Sequence, residues 1–389
     1  MQTVAHENAA RLAARGHEVT FLVSSDPRDI ARLKHTPIPP GVEVIRFDRG
    51  SNPVAFVRNG RLATKKLALK RSIDIVHIHF AYAALGPRFA IPRHVPTVRT
   101  YHGAWDSEAF LETTLKTGRA TIINRIAAAA RYSIEMAISQ NSDRIVTLSS
   151  FAKSQIMERF HIPAERIVEI PAGANERFRL PMHGRQEIRD RLGIPGDAMV
   201  LMTACRLVEL KGVRVLIDAV TNVIKQYPKT LCLIVGDGPS RAGLEDKVRQ
   251  AGLSTFFRFE GFIGNNIVDY YQASNLFVNP SLASETMGLV SLEALACGIP
   301  VVGMPLGATP ELLNAIDQRL VSKGVSPAEL TAVIVQAVEI ANDVSFSRKA
   351  ISDFVRAKYC WDSHAIALER VFYSCLERTA KNVVARSFK

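Results

Sequence analysis

Two carboxylates stand eight residues apart in the part of the sequence that most strongly suggests chemistry. Glu285 precedes a glycine-containing turn, and Glu293 lies two turns into the apolar helix that the pattern predicts after that turn. The backbone N–H groups of residues 286–289 would begin this helix, where free amides and the helix dipole favour a phosphate group. We therefore expect one carboxylate to bind a sugar, the other to bind a ribose, and the helix start to bind a diphosphate.

Two cations form a second candidate group. Arg206 follows a predicted buried strand, and Lys211 comes just before the predicted start of a helix near Val213. Cationic side chains at the carboxyl end of a strand can hold phosphate oxygens and stabilise the negative charge that grows on a leaving diphosphate. Alone, this pair fits a surface salt bridge equally well. Together with the two carboxylates it indicates one phosphate-binding site.

The elements that must position these residues alternate along the whole chain. Runs rich in β-branched residues are separated by segments with helical periodicity, which is typical of βαβ units and of a doubly wound parallel sheet. A polar stretch with proline and glycine, residues 171–186, divides the pattern into two halves and predicts a hinge. We expect an active-site cleft between two such domains. The predicted strands are residues 17–23, 42–47, 73–79, 97–102, 144–149, 200–204, 230–235, 256–260, 276–278 and 301–303.

Composition excludes several classes of protein. The 389 residues are 47% apolar and 22% charged, which is ordinary for a globular protein with two cores. The apolar runs are much shorter than the roughly 20 residues of a membrane span, and residues 1–20 do not read as a secretion signal. Five cysteines without a CxxC pair fit a reducing compartment and do not suggest zinc. We therefore expect a cytoplasmic protein.

Positive charge is concentrated in the first half of the chain. Residues 1–180 carry a net charge of +10, against +2 for residues 181–389. Its densest run alternates with apolar residues and predicts a basic amphipathic helix, which fits either a solvated face or an anionic partner. The cations of this run are Arg58, Arg61, Lys65, Lys66, Lys70 and Arg71.

These elements resemble the retaining glycosyltransferases of family 4, which have the GT-B fold. The resemblance extends over most of the chain, and its motifs are Arg15-Gly-His-Glu-Val, Asp74-Ile-Val-His77-Ile-His79, Tyr101-His102-Gly103, Val146-Thr-Leu-Ser149, Ile170-Pro-Ala-Gly173, Val235-Gly236-Asp-Gly238-Pro239 and Gly307-Ala-Thr-Pro310-Glu311-Leu. It implies two Rossmann-like domains that face each other across a cleft. They are an acceptor-binding domain at residues 1–175 and a donor-binding domain at 176–360, with a helical segment at 361–389 that packs toward the first domain.

The resemblance also implies a role for particular residues. Arg206 and Lys211 would bind the donor diphosphate, Glu293 the ribose and Glu285 the sugar. His102 would act from the first domain, while the neighbouring histidines at 77 and 79, which point the same way from one strand, are interpreted as packing residues. Further donor-binding residues would be Gly236, Gly238, Thr286, Met287, Gly288 and Leu289. The acceptor side would include Trp105, Asp106 and Glu108.

Two departures from the family pattern stand out. No strand or glycine-rich turn precedes the helix predicted at residues 2–15, so we expect the natural reading frame to extend upstream of Met1 by about one strand and a turn. The family's Gly-Val-Asp after the hinge proline is replaced by Gly173-Ala174-Asn175. The first departure bears on activity, whereas the second is compatible with it.

The expected activity is therefore the retaining transfer of a hexose from a UDP- or GDP-sugar to a glycan or lipid-linked acceptor, in the synthesis of cell-envelope or extracellular polysaccharide. We expect neither a metal nor another cofactor, because fixed cations and a helix terminus should hold the diphosphate in place of a metal. Contact with an anionic membrane would account for the basic run. Two alternatives remain: a catalytically silent GT-B protein that binds sugar nucleotides, and another GT-B sugar-nucleotide enzyme such as an epimerase.

Other nucleotide-binding classes fit poorly. A dinucleotide oxidoreductase needs G-x-G-x-x-G, but Arg241 occupies the place of the third glycine after Gly236 and Gly238. The sequence has no phosphate-binding loop of the G-x-x-x-x-G-K-[ST] type and no Asp-x-Asp pair for a divalent cation. It also lacks the motifs and aromatic platforms of a nucleic-acid binder.

Overall fold

The computed structural model describes residues 2–25, 38–182, 184–343 and 346–387. The chain separates into two compact units. The first comprises residues 1–107, 122–172 and 361–389, and the second comprises residues 108–121 and 173–360. The C-terminal helix therefore belongs to the first unit, and residues 108–121 belong to the second.

Every predicted strand overlaps a strand of the described structure. One further strand, β6, was not predicted. The strands are β1 (Val19–Ser24), β2 (Val42–Phe47), β3 (Val76–Ile78), β4 (Thr97–Thr100), β5 (Arg144–Thr147), β6 (Ile167–Glu169), β7 (Met199–Ala204), β8 (Thr230–Val235), β9 (Phe257–Gly261), β10 (Leu276–Asn279) and β11 (Val301–Gly303).

Helices occupy most of the segments between the strands, as the alternating pattern predicts. In the first unit they are Gln2–Ala14, Pro53–Lys70, Ala81–Arg88, Ile122–Gln140, Ser150–Phe160 and Trp361–Ser387. The helix Trp105–Thr117 has residues in both units. In the second unit they are Arg185–Leu192, Val213–Gln226, Arg241–Gln250, Ile267–Ala273, Leu289–Ala296, Thr309–Asn314, Pro327–Asn342 and Arg348–Lys358.

The first unit has parallel strands in two groups. β1 pairs with β2, and a four-stranded sheet has the order β3-β4-β5-β6. Apolar residues of the sheet are buried against helices on both faces. Val98 and Val146 pack with Leu368 of the C-terminal helix, whereas Ile145 packs with Ile156 of the helix that follows β5. Both faces of the sheet are therefore covered, as in a doubly wound fold.

The second unit has one five-stranded parallel sheet with the order β11-β10-β7-β8-β9. All six residues of β8 are buried, as expected for a strand that is covered on both faces. The chain proceeds from β7 toward β8 on one side and later returns to β10 on the other. β7 and β10 thus form a topological switch point, where open α/β sheets bind ligands at the carboxyl ends of the strands. Two doubly wound α/β units are confirmed.

Candidate functional site

The loops that follow β7 and β10 are joined at the switch point of the second unit. Gly212 has a left-handed backbone with φ of 66°, and a Cβ at this position would lie 1.9 Å from the carbonyl oxygen of Pro280. The backbone N–H of Leu282 donates to the carbonyl oxygen of Leu210 at 2.8 Å. These contacts need a glycine at 212, and they bring the segment that carries Lys211 beside the segment that carries Glu285.

Lys211 and Glu285 form an ion pair at this edge of the sheet. The Lys211 Nζ lies 2.5 Å from Glu285 Oε1, and Asn279, the last residue of β10, donates from Nδ2 to Glu285 Oε2 at 3.3 Å. Burial lowers the pKa of Lys211, but the charge and hydrogen bond of Glu285 outweigh it and raise the pKa above its ordinary value. Lys211 is therefore a permanent cation at neutral pH.

The backbone of Glu285 is held by the loop after β11. The N–H of Ala308 donates to the Glu285 carbonyl oxygen at 2.8 Å. A Cβ on Gly307, whose φ is 64°, would lie 2.4 Å from that oxygen. Gly307 begins the Gly-Ala-Thr-Pro-Glu-Leu motif, for which the sequence predicted no role. The structure shows that a glycine at this position allows the close approach of the two loops.

The helix beside Glu285 begins at Leu289, so residues 286–288, whose amides were expected to begin it, precede the helix. Gly288 caps the helix Leu289–Ala296 with a left-handed backbone and without a side-chain hydrogen bond. A Cβ at Gly288 would lie 3.3 Å from Glu285 Oε2, so the carboxylate and the helix start are adjacent. Gly288 and Leu289 are partly exposed, whereas the side chains of Thr286 and Met287 are buried. Thr286 and Met287 therefore pack into the interior next to this end of the helix.

Glu293 lies in the second turn of the same helix, as predicted. Its Oε2 accepts a hydrogen bond from the hydroxyl of Tyr271 at 2.9 Å. Tyr271 is fully buried, and burial, followed by the nearby charge of Glu293, raises the pKa of its hydroxyl well above the ordinary value. Tyr271 therefore remains a hydrogen-bond donor and fixes the orientation of the Glu293 carboxylate.

Arg206 is exposed and has no ion pair or side-chain hydrogen bond within the described part of the chain. Gly236 and Gly238 press the loop after β8 against the segment that carries it. A Cβ on Gly236 would lie 1.9 Å from the carbonyl oxygen of Cys205. A Cβ on Gly238 would lie 2.4 Å from the carbonyl oxygen of Leu207. The structure thus explains both glycines by close backbone packing next to Arg206.

In the first unit, three histidines form a contiguous group at the carboxyl ends of β3 and β4. His79 Nδ1 lies 3.0 Å from His102 Nε2, and the rings of His77 and His79 are 4.2 Å apart. His77 Nε2 also lies 2.7 Å from the hydroxyl of Thr100. His77 in β3 and His79 just after it point the same way, as their spacing predicts.

Burial is the first cause that lowers the pKa of each of these imidazoles. It lowers the pKa of His77 to about 3, and it lowers the pKa values of His79 and His102 well below 6.5. Neighbouring imidazoles lower the pKa values further, because the charged rings would repel one another. All three rings are therefore neutral at physiological pH.

The three residues expected on the acceptor side have different surroundings. In the first unit, Trp105 packs against Phe80 with ring centroids 5.2 Å apart, and Asp106 is buried and accepts from Arg159 at 2.6 Å. Glu108 belongs to the second unit, where its charge contributes to the raised pKa of Lys211. Asp106 is thus part of an internal ion pair.

Several residues that position the site were not predicted from the sequence. Asn279 could have been found, because a polar residue that ends a buried strand at a switch point is unusual. Tyr271 gives no such signal, since it is one of several aromatic residues. Glu112 also was not predicted, although its Oε2 accepts from the backbone N–H of Leu210 at 3.0 Å and helps to hold the loop before Lys211.

Within the described residues, no three side chains of the His, Cys, Asp or Glu type are grouped in a way that could hold a metal ion. Among the described helices, none is both long and apolar enough to cross a membrane.

Two family models match almost the whole chain. The model described as Glycosyltransferase Family 4 matches residues 1–178, and the model described as Glycosyl transferases group 1 matches residues 184–351. Among similar proteins, a D-inositol 3-phosphate glycosyltransferase of Thermobispora bispora is 27% identical over 97% of this chain and 90% of its own length. The alpha-monoglucosyldiacylglycerol synthase of Acholeplasma laidlawii is 28% identical over 75% of this chain and 73% of its own length.

Solved structures show the same fold. The sucrose-phosphate synthase of Thermosynechococcus elongatus matches with a TM-score of 0.79 at 21% identity. The match covers 97% of this chain and 93% of the synthase chain. HepE of Anabaena, solved in complex with UDP and glucose, has a TM-score of 0.72 at 19% identity and covers 96% of this chain and 95% of its own.

Proposed function

Because the chain belongs to the group 1, family 4 glycosyltransferases with the GT-B fold, we propose that it transfers a hexose from a UDP- or GDP-sugar to a glycan or lipid-linked acceptor, with retention at the anomeric carbon. One observation carries this proposal. The Lys211–Glu285 pair lies at the switch point of the second unit, and Glu293 follows two turns into the adjoining helix. A fixed cation, two oriented carboxylates and a helix start suit a sugar that is linked to a diphosphate.

The proposed reaction exchanges one bond at the anomeric carbon for another. The bond from this carbon to the diphosphate oxygen breaks, and its electron pair leaves with the diphosphate. The acceptor hydroxyl attacks from the same face, and its proton passes to the departing phosphate oxygen. The products are a glycoside and a nucleoside diphosphate.

In this reaction Lys211 and Arg206 offset the negative charge that grows on the diphosphate. Glu285 binds the sugar and orients Lys211, while Tyr271 orients Glu293 toward the ribose. His102 is the residue that we assign to the first unit, on the basis of the family resemblance. We propose that these fixed cations act without a metal, so activity should persist in EDTA.

A binding screen tests the donor site directly. We expect UDP-glucose to raise the thermal unfolding temperature of the parent protein, because a ligand that binds the folded state stabilises it by mass action. HepE binds UDP and UDP-glucose, which supports testing UDP-sugars first and GDP-sugars second. Glu293→Ala should lose the shift, since the variant lacks the carboxylate that we assign to the ribose.

A matched control separates binding from general damage. Glu339→Ala removes another helical glutamate of the second unit, on the helix Pro327–Asn342, and should respond to UDP-glucose like the parent. A screen in which no UDP- or GDP-sugar shifts the parent, or in which Glu293→Ala responds fully, would contradict the proposed donor site. Release of free sugar without any acceptor product would instead favour a donor-binding or hydrolytic protein.

The acceptor proposal rests on the exposed face of the helix Pro53–Lys70. This helix contains no acidic residue, and it buries Phe56, Gly60 and Thr64. At about 100° per residue, the opposite face places cations and exposed apolar residues together within an arc of about 100°. The residues of this basic apolar face are Val54, Arg58, Arg61, Leu62, Lys65 and Leu69.

Such a face fits an anionic lipid surface, because apolar side chains enter the interface while cations contact the lipid headgroups. We therefore propose peripheral membrane contact and a lipid-linked acceptor. The parent should bind vesicles that contain anionic lipid at low salt and dissociate at high salt. Changing Arg58, Arg61 and Lys65 to Gln should weaken binding, whereas the same change at Lys225, Lys229 and Arg249 of the second unit should not. Equal binding to neutral vesicles would contradict the proposal.

A further inference from the structure

A cavity in the second unit lies at the amino ends of the strands, far from the Lys211–Glu285 pair. Its volume is about 700 Å³, and its wall includes Met199 and Leu276, the first residues of β7 and β10. Because all strands of this sheet are parallel, their amino ends lie at the edge opposite to the switch-point loops. The volume is within the usual range for small-molecule sites.

One buried guanidinium group faces this cavity and has no carboxylate partner in the part of the chain that the structure describes. Arg189 lines the cavity and is only 4% exposed. It donates to the carbonyl oxygens of Ala273 and Gly196 and to the side-chain oxygen of Asn275, at 3.0, 2.8 and 2.6 Å. These acceptors are neutral, and they use three of its five N–H groups. The charge of Arg189 is therefore buried without a counterion among the described residues, which is costly.

Two more arginines add to this uncompensated charge. Arg185 and Arg348 line the cavity, are partly buried, and make no ion pair or side-chain hydrogen bond with any described residue. Each is the first residue of its helix, where the helix dipole adds further positive potential. Burial alone lowers the pKa of Arg348.

The described wall offers little that could neutralise these cations. Asp197 is its one carboxylate among the described residues, and it is paired with Lys229 at 2.6 Å. Tyr227 also lines the cavity, and its hydroxyl has no hydrogen-bond partner in the described part of the chain. The remaining wall is partly apolar, with Leu276 and Val338 among its residues.

We propose that this cavity is a second ligand site of the protein, which binds a phosphate-bearing anion through Arg185, Arg189 and Arg348. A phosphate ester carries about two negative charges and several acceptor oxygens, which suits three guanidinium groups better than a single carboxylate does. The apolar part of the wall would contact the organic portion of such a ligand. This inference is independent of the proposed transferase reaction, because it concerns the opposite edge of the sheet.

Calorimetric titration with inorganic phosphate and pyrophosphate, at constant ionic strength, tests the proposal. Because pyrophosphate is also expected to bind near Lys211, the titration is carried out with both the parent and Lys211→Gln. Binding of phosphate and pyrophosphate at the cavity should persist in Lys211→Gln. In that background, Arg348→Gln and Arg185→Gln should each raise the dissociation constant about tenfold or more, since each removes charged hydrogen bonds.

Three controls make the result decisive. Arg249→Gln, which removes an exposed guanidinium of the same unit, should leave the affinity unchanged. Arg348→Lys keeps the positive charge. It should therefore retain part of the affinity for phosphate that Arg348→Gln loses. UDP-glucose binding should be the same in Arg348→Gln and in the parent. Absence of phosphate binding at millimolar concentration, or equal binding by Arg348→Gln, would overturn the proposal, as would complete loss of binding in Lys211→Gln.

Discussion

The two units share a doubly wound fold, but the polar side chains at the strand ends are charged in the second unit and neutral in the first. At the switch point of the second unit, Lys211 and Glu285 are a charged pair, and Tyr271 donates to the charged Glu293. At the carboxyl ends of β3 and β4 in the first unit, three imidazoles contact one another and are neutral. Permanent charges can stabilise a charged leaving group, whereas neutral rings make the first unit sensitive to acid.

The largest effect should come from breaking the charged pair. We expect Lys211→Gln to lower kcat by about 10²- to 10³-fold, because a fixed donor near the developing charge is lost. Steady-state kinetics with UDP-glucose would measure this. Lys229→Gln breaks the exposed pair with Asp197 and serves as the matched control, with an expected kcat equal to that of the parent. A parental kcat for Lys211→Gln would remove this residue from the proposed reaction.

The next effect concerns the packing that places Arg206. Gly236→Ala should destabilise the protein by about 3 kcal/mol or more, because φ is 124° and the new Cβ would overlap the Cys205 carbonyl oxygen. Gly252→Ala is matched, since Gly252 also has positive φ but a Cβ there would meet no atom within 4 Å, and it should cost about 1–2 kcal/mol. Denaturant unfolding would compare them. Equal losses would show that backbone strain, and not close packing, sets the requirement for glycine.

The smallest effect per residue is a pH dependence of the first unit. The pKa values of the three histidines are lower in the folded protein than in the unfolded chain, so protons bind preferentially to the unfolded chain. Stability from these groups is complete above pH of about 6.5 and is lost as the pH falls toward the folded pKa values. The loss is at most about 1.4 kcal/mol per histidine for each pH unit below 6.5.

Denaturant unfolding between pH 7 and 5.5 would measure this slope. His77→Gln should reduce it, since one of the three groups no longer titrates, while Lys229→Gln in the second unit should keep the parental slope. An unchanged slope in His77→Gln would mean that the histidines do not govern the acid response.

The sequence predicted secondary structure well where the local pattern is strong. The helix start at Val213 and the bounds of β2, β8 and β11 agree with the structure, because apolar periodicity and glycine or proline limits are local properties. The strands near His79 and His102 were predicted to extend too far, since β3 ends at Ile78 and β4 ends at Thr100. Strand ends depend on pairing with neighbours, which one segment does not reveal.

The sequence by itself determined the alternation of elements, the spacing of Glu285 and Glu293, and the location of Lys211 after a buried strand. Only the tertiary structure decided that Lys211 pairs with Glu285 and that Tyr271 orients Glu293. Likewise, only folding brings Arg185, Arg189 and Arg348 to one cavity at the other edge of the sheet. The physical reason is that motifs record spacing along one element, whereas charge pairing and burial depend on strand order, which joins segments that are distant in the chain.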